Sequence, residues 1–218
     1  MLTRLRNEVC NLILELKSNN IITTASGNLS ARDCQTNLLV VKPAGVPYDE
    51  LSPDKMVIMD LNGAIIEGRY RPSADTSIHL QVYRKRKDIN AIVHAYSPYA
   101  TSFSIVGKPI PVCLATMAYD FGGPIPAGNS KLNDNKAVGN EIVAKIKDAK
   151  AILMKHYGIF TIGETPEQAV MAAIRLEDTA RAVYLAITLG KKPCSIPQNI
   201  VKKMHIQYKA KESKTVSN

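Results

Sequence analysis

Three short turns carry residue types that can hold an anion: Ser26-Gly27-Asn28, Lys42-Pro43-Ala44-Gly45 and Ser73-Ala74-Asp75. Each is small and polar or contains glycine, so its backbone N–H groups can approach a phosphate or carboxylate closely. Ser73 also lies just ahead of a helical pattern, where free N–H groups and the helix dipole favour negative charge. Taken singly, each is an ordinary turn. Asp75 sits among helix-capping residues. It is a cap by default, and a general base only where its surroundings make it one. The histidines are His79, His94, His156 and His205. His94 and His156 fall at strand ends. A lone strand histidine is more often a hydrogen-bonded core residue than a ligand, so these positions gain meaning only in combination.

The elements that must position these residues follow from periodicity. Leu5, Val9, Leu12, Ile13 and Leu16 share one face of a first helix, which Asn19-Asn20 ends. A small-residue loop from Thr23 through Asn28 runs into a strand. Residues 38–42 form a β-branched strand, and Ser52-Pro53 opens a short helix. Residues 57–61 and 64–67 flank Asn62-Gly63, a two-residue hairpin signal. A helix follows the 71–76 loop and reaches about Arg86. Residues 91–95 form a short buried strand, Ser97-Pro98 starts another helix, and 122–126 form a loop. Helix is expected over 133–147 and strand over 151–160. Thr165-Pro166-Glu167-Gln168 is a capping box with proline in the first turn. Its helix runs to Leu189 and stops at Gly190. A last helix is expected from 197 to about 210, with 211–218 frayed. No repeat or linker divides the chain. It reads as one α/β domain over 1–210, whose sheet need not be parallel.

Composition removes several function classes. At 218 residues with 45% hydrophobic content, the chain can bury one sizeable core. No apolar run approaches the roughly 18 residues that span a bilayer. The N-terminal segment is amphipathic rather than signal-like. Both features lead to the expectation of a cytoplasmic protein without a membrane span. Cys10, Cys34, Cys113 and Cys194 form no C-x-x-C pair, so four reduced and mostly buried thiols are expected. The net charge of +9 is concentrated in Arg84-Lys85-Arg86-Lys87, Lys191-Lys192 and the tail from Lys202 to Lys214. The first two runs hold no aromatic residue and the tail holds Tyr208, so no aromatic-interleaved basic patch is formed. They are therefore expected to be solvated helix faces and a tail rather than a nucleic-acid surface. A small anionic substrate fits the same charge.

The order of the motifs is more specific than any one of them. Residues 24–30 (TASGNLS), 42–48 (KPAGVPY), 71–76 (RPSADT) with His79, and 91–101 (AIVHAYSPYAT) follow one another. Gly122-Gly123-Pro124-Ile125-Pro126, residues 151–163 (AILMKHYGIFTIG) and the long helix from Thr165 continue the succession. Over roughly residues 5–208 the chain resembles the class II aldolase/adducin superfamily. The resemblance implies a three-layer α/β/α domain with a largely antiparallel central sheet. It also implies a homotetramer with active sites between neighbouring subunits. Aspartate in Pro72-Ser73-Ala74-Asp75-Thr76 looks more like the L-ribulose-phosphate 4-epimerases than the fuculose- and rhamnulose-phosphate aldolases. The long helix from Thr165 points to the same branch.

The chemistry implied is retro-aldol cleavage of a ketose phosphate. A divalent metal, usually zinc, acts as Lewis acid and holds the enediolate. An aldolase releases the aldehyde; an epimerase rotates it and re-forms the bond. By resemblance, Asn28 and Lys42 face the substrate. Backbone near Gly27, Gly45 and Ser73, together with positions Ala44 and Ala74, surrounds the phosphate. Asp75 acts in proton transfer, and Tyr119 and Asp120 fall near the epimerase's Ala-Asp pair.

The sequence departs from that pattern at its centre. The family's His-x-His reads His94-Ala95-Tyr96, so Tyr96 takes the second ligand position. Its Asn-His-Gly reads His156-Tyr157-Gly158, so Tyr157 takes the third unless a one-residue bulge turns His156 inward. Ala44 and Ala74 replace two serines of the phosphate cradle, and the acid after Ala118 comes one place late, at Asp120. Three readings remain open here. Tyr96 and Tyr157 ligate a harder metal such as iron or manganese. Alternatively, the metal is lost and the tyrosines fill its space. The third reading is a binding or scaffold role, as in adducin.

Overall fold

The computed structural model describes residues 1–23 and 26–215. Thr24 and Ala25 of the first motif, and residues 216–218 of the tail, lie outside the described residues. Strands β1 (Asn28–Arg32), β2 (Leu39–Val41), β3 (Val57–Met59), β4 (Ile65–Glu67), β5 (Ala91–Ala95), β6 (Ala127–Gly128), β7 (Ala151–Met154) and β8 (Gly158–Gly163) form one sheet. Its order is β4-β3-β2-β1-β5-β8-β7-β6. Every pairing is antiparallel except β6 with β7. The sheet is thus largely antiparallel, as the motif order implies.

Helices cover both faces. Alternation along β5 divides the layers: Ala91, Val93 and Ala95 face one core, and Ile92 faces the other. The first core is closed by α1 (Thr3–Ser18), α3 (Pro98–Val106), α4 (Ala115–Phe121), α6 (Pro166–Thr188) and α7 (Gln198–Thr215). The second is closed by α2 (Thr76–Lys85) and α5 (Asn135–Ile146). This is the three-layer α/β/α arrangement.

Local chemistry sets the ends of the elements. Thr165 Oγ1 accepts the Gln168 N–H at 3.3 Å and caps α6, and Gln168 Oε1 accepts the Glu164 N–H at 3.1 Å. Glu177, mid-way along α6, accepts the N–H groups of Tyr99 and Ala100 at 2.8 and 2.9 Å. A buried carboxylate thereby holds the N-terminus of α3, where donors lack helical partners.

Several expectations change. The run 151–160 is two strands, broken by a turn at 155–157. His156 there has φ +66° and Gly158 φ +71°. A Cβ on Gly158 would collide with the Ala95 carbonyl oxygen and lie 3.0 Å from Tyr96 Cδ1. Only glycine lets β8 start so close to β5. Helix α4 and strand β6 occupy stretches that carry no clear period. The β3–β4 connection is longer than two residues, with Asp60 Oδ1 accepting from the N–H groups of Asn62 and Ala64. Helix α7 continues to Thr215, past the expected end near 210. Of the cysteines only Cys10 is buried. Cys34 and Cys194 are exposed, and all are free.

Candidate functional site

His94 is fully buried on the face of β5 that α2 covers. Asp75 immediately precedes α2. Its carboxylate makes no capping bond to that helix. Instead, Asp75 Oδ2 lies 3.0 Å from His94 Nδ1. On the other side, His94 Nε2 lies 2.8 Å from the Tyr157 carbonyl oxygen. The imidazole stacks on Phe160 at 4.3 Å between ring centres, and Tyr96 meets it edge-on at 4.9 Å. Register explains the stack, because His94 pairs with Phe160 across β5 and β8. The hydrogen bond from His94 holds the Asp75 carboxyl below the usual carboxylate range, with the nearby histidine charges adding to it and burial opposing. Asp75 therefore stays an ionised acceptor at neutral pH.

The three anion-type turns converge beside this pair. Asn28 is the register partner of His94 across β1 and β5. Its Nδ2 donates to Ser73 Oγ at 3.0 Å. The Ser73 N–H donates to the Lys42 carbonyl at 3.1 Å, and the Ala44 N–H to the Arg71 carbonyl at 2.8 Å. These last two bonds join the 42–45 and 71–75 loops, so those N–H groups are engaged in the fold. Gly27, at φ +99°, packs where a Cβ would sit 3.0 Å from the His94 carbonyl oxygen. Gly45, at φ +72°, opens onto free space. Ala74 directly precedes Asp75. Lys42 is buried, donates to the Pro43 carbonyl at 3.1 Å, and lies 4.9 Å from the centre of the Tyr48 ring. Burial pulls its ammonium below the usual lysine range. Tyr48, whose phenol burial pushes up to about 12, donates toward the Ser26 and Gly27 carbonyls at 3.2 Å each.

A buried polar network lies behind the pair. Ser30 Oγ is 2.8 Å from His79 Nδ1 and 2.9 Å from the Tyr83 hydroxyl, which also donates to the Ser30 carbonyl at 2.9 Å. His79 Nε2 is buried with no partner among the described residues. Burial, with a smaller push from the His94 charge, drives the His79 imidazole down to about 3. The sequence reading passed over Ser30 and Tyr83. The one available signal was the alternation of Asn28, Ser30 and Arg32 along β1, with the apolar Leu29 and Ala31 between them.

Other sequence-derived residues fall elsewhere. His156 is exposed at the tip of the β7–β8 turn, while Tyr157 is half-buried with its carbonyl toward His94. The register left open by the sequence therefore places Tyr157, not His156, beside His94. Tyr119 and Asp120 lie on α4 against α6 and α7. Asp120 pairs with Arg175, Tyr119 stacks on Tyr208 at 5.3 Å, and the Tyr119 carbonyl is 2.7 Å from His205 Nδ1. Within one chain these two residues line a separate cavity of about 450 Å³ with Thr116 and Arg175.

The donor set does not fit the divalent metal that the resemblance implies. Both ring nitrogens of His94 face protein oxygens, Asp75 Oδ2 and the Tyr157 carbonyl, so neither nitrogen is directed at space where an ion could sit. Burial first, then the charges of Asp75 and Tyr157, pushes the Tyr96 phenol up, so in the absence of an ion it stays a neutral phenol. No group of three or more His, Cys, Asp or Glu among the described residues could hold a metal. A catalytic zinc site uses three such ligands.

Comparison with known proteins agrees with the fold and with these motifs. Residues 7–184 match the family model of the class II aldolase and adducin N-terminal domain. The chain belongs to that family. It is 32% identical to an L-ribulose-5-phosphate 4-epimerase (UlaF) of Salmonella paratyphi B, over 84% of this chain and 85% of that protein. Among solved structures it is similar to an L-fuculose 1-phosphate aldolase with TM-score 0.84 and 24% identity, covering 94% of this chain and 95% of the other. It is also similar to the L-fuculose 1-phosphate aldolase from Glaciozyma antarctica PI12, with TM-score 0.80 and 22% identity, covering 94% and 81%. No helix among the described residues is long and apolar enough to cross a membrane.

Proposed function

We propose that this chain is an enzyme of the epimerase–aldolase kind, acting on a phosphorylated ketose by reversible cleavage of a carbon–carbon bond. The observation that carries this reading is the Asp75–His94 pair at the meeting point of three anion-type turns. The 4-epimerase relative supports the substrate class. In the reading, Asp75 accepts the proton of the hydroxyl at the bond to be cleaved. The carbon–carbon electron pair moves toward the ketone and leaves an enediolate and an aldehyde. Re-addition to the other face of the aldehyde completes an epimerisation; release completes an aldol cleavage. His94 orients Asp75 and keeps it ionised. Lys42 and Asn28 supply positive charge and a donor near the phosphate. Family members of this type use a divalent ion at the enediolate. The donors around His94 do not fit one.

Tyr119 and Asp120 enter the reading through assembly. In a homotetramer they complete the site of a neighbouring subunit, supplying an acid–base group to the aldehyde oxygen. One observation favours a second reading, a non-catalytic family member that binds an anionic ligand: the closed coordination of His94. The two are separated by carbon-13 NMR of labelled L-ribulose 5-phosphate and L-fuculose 1-phosphate incubated with the chain. The enzymatic reading expects signals of an epimer or an aldehyde. Unchanged spectra, with and without added zinc, manganese or iron(II), favour the binding role.

A further inference from the structure

A second basic cavity lies away from the Asp75–His94 pair, at the opposite end of β1. It encloses about 380 Å³, within the roughly 300–1,000 Å³ range of small-molecule sites. Arg32, Arg84 and Lys87 contribute three cations to its lining, which contains no carboxylate. None of the three forms an ion pair among the described residues. The acids next in sequence are occupied. Asp88 is held by Arg86 through two bonds of 2.8 and 2.7 Å, and Asp33 accepts from the N–H and hydroxyl of Thr36.

The cavity is built rather than incidental. Arg32 is 7% exposed. Its Nη2 donates to the carbonyls of Lys87 and Ile89 at 2.5 and 2.7 Å, and its Nε to Asn90 Oδ1 at 3.1 Å. Its guanidinium lies 5.5 Å from the centre of the Tyr83 ring. These contacts fix the group in place and leave Nη1 without a hydrogen bond among the described residues. Arg84 Nε is anchored on the carbonyl of Leu61, another lining residue, at 2.7 Å. With Nε and Nη2 engaged, Arg32 offers a ligand its Nη1, and this buried cation beside Arg84 and Lys87, with the Arg86-paired Asp88 as the carboxylate charge in reach, suits a phosphate oxygen.

We infer that the cavity bounded by Arg32, Arg84 and Lys87 is a binding site for a small phosphate-bearing anion, separate from the candidate active site. A nucleic acid fits it less well. The other members of the basic run turn elsewhere: Lys85 bonds Asn140 at 2.7 Å and Arg86 bonds Asp88. No continuous track of free cations remains for a polyanion backbone, only a pocket that Tyr83 and Asn90 line beside the three cations. The inference stands on these residues alone and does not rest on the proposed reaction.

Exposed Cys34 also lines the cavity and serves as a reporter, with exposed Cys194 as an internal control. The full chain is labelled with a maleimide at constant ionic strength, with increasing inorganic phosphate or pyrophosphate. Labelling at each cysteine is followed by peptide mass spectrometry. The expected result is a saturable, several-fold slowing at Cys34 and none at Cys194. The double variant Arg84→Ala/Lys87→Ala changes exposed side chains only, and circular dichroism checks its fold. It should weaken the protection about tenfold or more, as expected for lost charge-assisted contacts. The inference is overturned if neither anion protects Cys34. It is overturned equally if protection is unchanged in the double variant, or if only a short DNA duplex protects.

Discussion

At His94 two hydrogen bonds divide the imidazole between the Asp75 carboxylate and the Tyr157 carbonyl. In the proposed reaction these contacts make Asp75 and His94 a pair that holds a proton, at a position expected from the motif to bind metal. Just behind it, His79 gives a pH prediction of its own. Its folded-state value, about 3, lies below the unfolded value of about 6.5. Between those limits the unfolded chain binds a proton that the native chain refuses. Stability therefore falls as pH drops through that window, with a slope of about 1.4 kcal/mol per pH unit from this one group. Above the window His79 contributes no pH dependence. Urea denaturation from pH 7 to pH 4 should show the decline, and His79→Asn should flatten it. An equally steep decline in the variant would assign the acid sensitivity to other groups. Much of this site was legible. Asn28, Lys42, Ser73, Asp75 and His94 stand in ordered local motifs, and the structure brings them together. Ser30 and Tyr83 were not, because their network depends on α2 crossing over β1, which no local pattern encodes.

Among the elements, the β7–β8 hairpin does most to shape the site. An apolar run from 151 to 160 looks the same whether it continues or folds back, so the sequence read one strand. What breaks it is backbone conformation: His156 and Gly158 both adopt positive φ. The turn carries the Tyr157 carbonyl to His94 and exposes His156. Gly158→Ala should therefore act at a distance. A Cβ there meets the Ala95 carbonyl and Tyr96 while the backbone is held left-handed. A cost of about 1–3 kcal/mol is expected from the strain. The hydrogen bond at His94 Nε2 should weaken with it, visible as a shifted imidazole signal by NMR. Wild-type stability with an unshifted signal would mean that the turn does not set the ring. Helix α4 and strand β6 were illegible for a simpler reason, since short elements carry too few residues to show a period.

For the whole molecule, the family motifs encode the layers, while assembly lies outside a single chain. Tyr184, Leu185, Ile187 and Leu189 leave apolar surface exposed toward the C-terminal end of α6. Tyr119 and Asp120 line a cavity remote from Asp75. The homotetramer proposed above would cover the first and carry the second to a neighbour's site. Light scattering at micromolar concentration should return the mass of four chains. A monomer would leave Tyr119 and Asp120 without a catalytic role. The proposed reaction itself is tested most directly by comparing kcat/KM of the wild type and Asp75→Asn on L-ribulose 5-phosphate. Asparagine keeps the shape, its amide oxygen can still accept from His94 Nδ1, and Asp75 makes no capping bond to α2 that would be lost, so the fold should be nearly unchanged. If Asp75 is the proton acceptor, kcat should fall roughly 10²–10⁴-fold with little change in KM. Equal kcat/KM in the two proteins would contradict it and return Asp75 to a purely structural place beside His94.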